Sequence, residues 1–177
     1  MSLTEPSFIE RNPAVITAEM VTLWEAATGK TLYPAQVEAL LIDLIAYREN
    51  LVRIGIQEAA KQNLVAYARA PMLDYLGELV GCYRLAGETD DRFRERVLLA
   101  PEAAACGTAT AYRLAALSVS AGIAEVVVTS EAPGVVVVAV TTTDADVDAA
   151  LNAVRAALNA EDVRPLTDQV IVTGGAA

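Results

Sequence analysis

The chain has 177 residues, 54% of them apolar, and carries 13 Lys and Arg against 23 Asp and Glu, a formal charge of −10. That length and apolar content suffice for one domain or two small ones whose core needs no staples. The negative charge repels phosphate, so a nucleic-acid surface would have to be a local exception and none is expected, and the longest apolar runs, such as "LAALSVSAGIA" and "GVVVVAV", fall well short of the roughly 20 residues of a membrane span.

"NPAVITAEMVTLWEAATGK" predicts the first helix, with Asn12 as cap, Pro13 at the first helical position and Gly29 as stop. Ile16, Met20, Leu23, Trp24 and Ala27 mark its expected buried side. From Pro34 to Ala70 nothing breaks a helix before Pro71, so about 35 residues spanning roughly 50 Å are expected. At 100° per residue, Val37, Leu40, Leu41, Leu44, Ile45, Leu51, Val52, Ile54, Ile56, Ala59 and Val65 fall in one arc of roughly 200°, about twice what one packing partner needs. Asp43, Glu49, Asn50, Arg53, Gln57 and Lys61 occupy the rest, a face expected to be wet, with Glu49 and Arg53 at the favourable i,i+4 spacing.

Two residues near the centre of the apolar arc do not suit a plain core. Gly55 costs a helix about 0.5–1 kcal/mol relative to alanine, and close approach of another backbone is a common return. Arg48 either snorkels outward along its methylenes or meets a carboxylate in a partly buried pair. Leu40, Leu44, Tyr47, Arg48, Leu51, Ile54, Gly55 and Glu58 are together the expected contact of this helix with a partner beyond its own domain.

"PMLDYLGELVG" reads as a short helical turn ending at Gly81, and "ETDDRFRERVLLAPEA" as a helix capped by Thr89 or Asp90 and closed by Pro101. "TATAYRLAALSVSAG" is a further helix up to Gly122. The period then changes: "IAEVVVTS" and "GVVVVAVTT", joined by "EAPG", predict an antiparallel hairpin. "DADVDAALNAVRAALNA" is an aspartate-capped amphipathic helix and "DQVIVTGG" a third strand. The expected class is α+β, with an N-terminal arm and first helix over residues 1–33, the long helix and helical region over 34–120, and a small β-β-α-β unit over 121–177.

Chemistry is hard to place on this chain. It has no histidine, which removes the usual triad base and the commonest zinc ligand. Cys82 and Cys106 lack metal-ligand spacing and, with no signal peptide at the start, read as free thiols in a reducing cell. "GKT" at Gly29–Thr31 lacks the upstream glycine of a phosphate loop and leaves a helix rather than a strand. The acidic pairs Asp90–Asp91 and Asp144, Asp146, Asp148 read as helix caps rather than a calcium loop. Arg92, Arg94 and Arg96 alternate with acids, which predicts a salt-bridged helix face first and an inter-subunit contact second. No enzyme activity, cofactor, metal or small-molecule substrate is expected.

The blocks "FIERNP", "LLIDLIAYRENLVRIGIQEAAKQNLVAYARAPMLDYLGELVG", "ETDDRFRERVLLAPEA", "AYRLAAL" and "VRAALNAEDVRPLTDQVIV" resemble, in order and over essentially the whole chain, the baseplate J-like proteins of contractile phage tails. The resemblance implies a structural wedge component of a phage tail or related contractile injection system, assembled in the bacterial host cytoplasm and residing in the virion baseplate. It further implies that the long helix enters a bundle with a second copy and another wedge protein, around the central hub and tube, next to a sheath-initiating subunit. Most relatives continue into a further C-terminal domain, absent from this sequence, so the chain is expected to be either a reduced member or the N-terminal part of a longer one. The alternative reading of the residues is an intracellular adaptor whose long helix docks one client helix.

Overall fold

Asn12 holds extended backbone while its side chain accepts the Ala14 N–H, Pro13 opens the helix and Gly29, at φ 67°, ends it, so α1 runs Pro13–Thr28. The computed structural model describes residues 4–177 and divides between Tyr67 and Ala68 into two compact units.

In the first unit, α1 packs along the second helix, α2 (Val37–Lys61). At 25 residues α2 is about 38 Å long. The helix expected to reach Ala70 thus stops nine residues earlier, at Lys61. The Asn63 amide donates back to the Ala59 and Ala60 carbonyls. The chain then proceeds by i→i+3 turns, Leu64 N–H to Lys61 and Tyr67 N–H to Leu64. These turns consume the donors that a further α-helical turn would need.

The orientation of α2 is a second correction. Ile42 and Ala46 are buried, as is Ile16 of α1, but the next turns on the same side present Arg53, Gln57 and Lys61. This polar stripe was expected to face water and instead holds the N-terminal arm. Gln57, wholly buried, accepts the Phe8 N–H at 2.9 Å and donates to the Pro6 carbonyl at 2.6 Å. Arg53 pairs with Glu49 at 2.9 Å, as the i,i+4 spacing predicts, and also reaches Glu19 and the Glu10 carbonyl. Lys61 bridges Glu5 and Glu58, whose carboxylates raise its ammonium pKa. On α1, Met20 and Trp24 are half-buried as expected, whereas Leu23 and Ala27 are exposed.

The second unit begins with α3 (Met72–Glu78) and α4 (Asp90–Leu99), the latter capped by Thr89 through the Arg92 N–H. Thr108 caps α5 (Ala109–Leu117), which stops five residues short of Gly122. β1 (Ile123–Ala132) and β2 (Val135–Thr142) form the expected antiparallel hairpin, turning at Gly134 with φ 75°. α6 (Val147–Leu158), capped by Asp146, crosses back so that β3 (Gln169–Ala176) pairs parallel to β2, giving the order β1-β2-β3. The core beneath the sheet is built from Tyr112, Ala116 and Leu117 of α5, Leu151, Val154 and Leu158 of α6, and Ile123, Val138 and Val140 of the strands. The α+β class is as expected, and α5 shares the core of the β-β-α-β segment.

Candidate assembly surface

Because the polar stripe of α2 faces α1 and the arm, its apolar arc faces outward. Leu40 is 66% exposed, Leu44 59%, Tyr47 60%, Leu51 44% and Ile54 40%. Val37, Leu41, Ile45, Val52 and Ile56 are also exposed. Helical geometry puts Leu40, Leu44, Tyr47, Arg48, Leu51, Ile54, Gly55 and Glu58 on the side of α2 opposite Ile42, Ala46 and Gln57. All eight residues expected at a bundle interface are therefore exposed on one side. Isolated exposed leucines are ordinary, but an apolar strip running the length of a helix is the mark of an interaction site.

Within that strip, Arg48 is exposed and has no hydrogen bond or ion pair among the described residues. Gly55 is equally open: a Cβ built on it would meet nothing within 4 Å. Close approach to Gly55 is therefore not made inside the chain, and the place remains free. Glu58 is exposed and touches Lys61 at 3.1 Å.

The three arginines of α4 are engaged within their own unit. Arg96 donates to Glu88 at 2.7 Å and to the Tyr83 carbonyl at 3.1 Å, and lies over the Phe93 ring. Arg92 donates to the carbonyls of Leu117, Ser120 and Ala121, which terminate α5. Burial lowers its guanidinium pKa, and Glu88, 3.9 Å away, acts against that. Arg94 bonds Asp91 and the Ala68 carbonyl. The residue the sequence reading missed is Glu88, whose fully buried carboxylate also accepts the Leu85 N–H. Its position four residues before Arg92 and eight before Arg96 was the available signal.

Concave chemistry is sparse. A cavity of about 220 Å³ lies between α5 and the hairpin, lined by Tyr112, Asp168, Val128, Val136, Gly107 and Gly134 among others. Tyr112 donates to Asp168 at 2.9 Å, and burial together with that bond pushes its pKa up to about 12. A phenol so held is a structural hydrogen-bond donor rather than a base near neutrality. Among the described residues there is no group of three or more Cys, Asp or Glu arranged to hold a metal, and no helix is long and apolar enough to cross a membrane.

Two family models match the chain consecutively: the baseplate J-like N-terminal domain over residues 38–91 and the baseplate J-like central domain over residues 104–174. The chain belongs to the baseplate J-like family. The N-terminal domain of this baseplate J-like chain thus contains α2 except Val37, while its central domain contains α5, β1, β2, α6 and most of β3. Baseplate protein J of Escherichia phage P2 is 29% identical over 191 residues, covering 97% of this chain and 63% of that protein. The chain therefore spans somewhat under two thirds of the length of that relative.

Proposed function

We propose that the chain is a non-catalytic structural component of a contractile phage tail baseplate, or of a related contractile injection system. In this reading it is a wedge protein. The outward side of α2 packs against helices of a second copy and of another wedge protein, around the central hub and tube and beside the sheath-initiating subunit. Assembly takes place in the host cytoplasm, and the product resides in the virion.

One observation carries this reading: the helix spends its polar side on its own chain and leaves its apolar side without a partner. Complete burial of a leucine, isoleucine or valine contributes about 1.5–3 kcal/mol, and these residues retain roughly half of that potential. Membership of the baseplate J-like family supports the same assignment, as does the similarity to a phage baseplate protein.

The test is assembly in the presence of variants at the strip. Leu44→Glu and Leu51→Glu, and more mildly Arg48→Glu and Gly55→Leu, are expected to abolish or reduce baseplate formation in cells complemented with the variant chain, while circular dichroism of the purified variants is unchanged. Particle yield unaffected by all four would refute the role of α2.

A further inference from the structure

The outward strip of α2 has an internal register. Leu41, Leu44, Arg48, Leu51, Gly55 and Glu58 follow one another at alternating steps of three and four residues, the spacing of a two-helix seam. Two of these positions are charged and of opposite sign, and one lacks a side chain. Arg48 and Glu58 lie five residues either side of position 53, while Leu51 and Gly55 lie two either side of it.

We propose that, away from the assembled particle, a second copy of this chain covers the C-terminal part of the strip, residues 45–61, as an antiparallel helix pair centred on position 53, in which Arg48 meets the second copy's Glu58 and Leu51 fills the gap over the second copy's Gly55. The proposal rests on reading the strip as an interface and adds to it the occupant, direction and register. The geometry favours antiparallel over parallel for a physical reason. In a parallel pair identical residues face one another, which sets Arg48 against Arg48 and Glu58 against Glu58 and leaves a void at the paired glycines. In the antiparallel register each charge meets its opposite twice by symmetry, and each glycine gap receives a leucine. Arg48 enters this pairing without giving up an internal partner. Glu58 leaves Lys61 still paired with Glu5 at 2.9 Å. The consequence for function is that wedge partners must displace a self-complementary pair, so this part of the strip is withheld from non-specific association until they are present.

Sedimentation velocity on the whole 177-residue chain tests the pairing. The chain should dimerise, with Arg48→Glu alone and Glu58→Arg alone each weakening the dimer by about tenfold or more, and with the double reversal restoring it. Direction is read from a spin label at Glu38→Cys, in a Cys106→Ser background, since Cys106 is exposed and Cys82 buried. Glu38 lies 15 residues from the centre, so labels in the antiparallel pair are separated along the axis by about 45 Å. A monomer at all concentrations, charge reversals without effect, or labels within about 20 Å would each overturn the proposal. If it fails in any of these ways while Leu44→Glu still blocks baseplate formation, the strip remains an assembly surface and only its resting occupant is wrong. If Leu44→Glu assembles normally, the underlying reading falls as well.

Discussion

Replacing Gln57 by alanine removes a buried side chain that fastens the N-terminal arm to α2 through both a donor and an acceptor. The carboxamide makes two hydrogen bonds to backbone, one from the Phe8 N–H at 2.9 Å and one to the Pro6 carbonyl at 2.6 Å. Neutral hydrogen bonds of this kind contribute about 0.5–1.5 kcal/mol each, so their joint loss costs about 1–3 kcal/mol. The arm keeps the Lys61–Glu5 pair and the Arg53 bond to the Glu10 carbonyl, which are solvent-facing and contribute less. The loss should therefore be local. Hydrogen exchange at the Phe8 amide should accelerate about 5- to 150-fold, the equivalent of that free energy, while amides in the sheet of the second unit exchange as before. Gln57→Glu should be nearly as damaging, because a carboxylate accepts from Phe8 but offers Pro6 no proton. Unchanged exchange at Phe8 in Gln57→Ala would refute the claim that the polar side of α2 is the arm's binding face.

Other outcomes follow from the same structure. Arg96→Ala strands the buried Glu88 carboxylate and should destabilise the second unit by about 3–5 kcal/mol in denaturant titration, far more than Arg94→Ala. Tyr112 titrates higher in the folded chain than the usual value of 10.0, near about 12. Its contribution is therefore fully present below pH 10 and is lost as pH rises from there through about 12, and Tyr112→Phe should flatten this alkaline slope in pH-dependent denaturation. Gly55→Ala, with nothing within 4 Å of the added carbon, should stabilise α2 by about 0.5–1 kcal/mol in the isolated chain, measured by thermal melting, in contrast to the assembly defect expected of Gly55→Leu.

Much of the architecture was legible because local chemistry and tertiary structure agree. Asn12, Pro13 and Gly29 bound α1, and Thr89, Thr108 and Asp146 cap three more helices through the backbone amides their side chains accept. The valine-rich hairpin and the crossover helix followed from the change of period between residues 117 and 123. The end of α2 was not legible, because residues 62–70 contain no breaker. What ends the helix is a back-bonding asparagine, Asn63, and a run of tight turns.

The facing of α2 was hidden for a deeper reason. Periodicity locates an apolar arc but does not say whether the arc is buried by its own chain or by another. The polar stripe was assigned to water because the arm that occupies it, residues 5–11, has no periodicity of its own and binds largely through its backbone, with Glu5 adding a side-chain pair to Lys61. Glu88 was likewise overlooked beside the more conspicuous arginines it holds. The eight strip residues were found from pattern and resemblance, and their shared exposure gives that pattern its meaning.

The most direct measurement is a photo-crosslinking amino acid placed at Leu44 or Leu51 in the chain within assembled particles. Crosslinks are expected from both positions to helices of other baseplate chains, and few or none from a control at Leu23 on the exposed side of α1. Particles that assemble normally and give no crosslink from Leu44 or Leu51 would contradict this expectation.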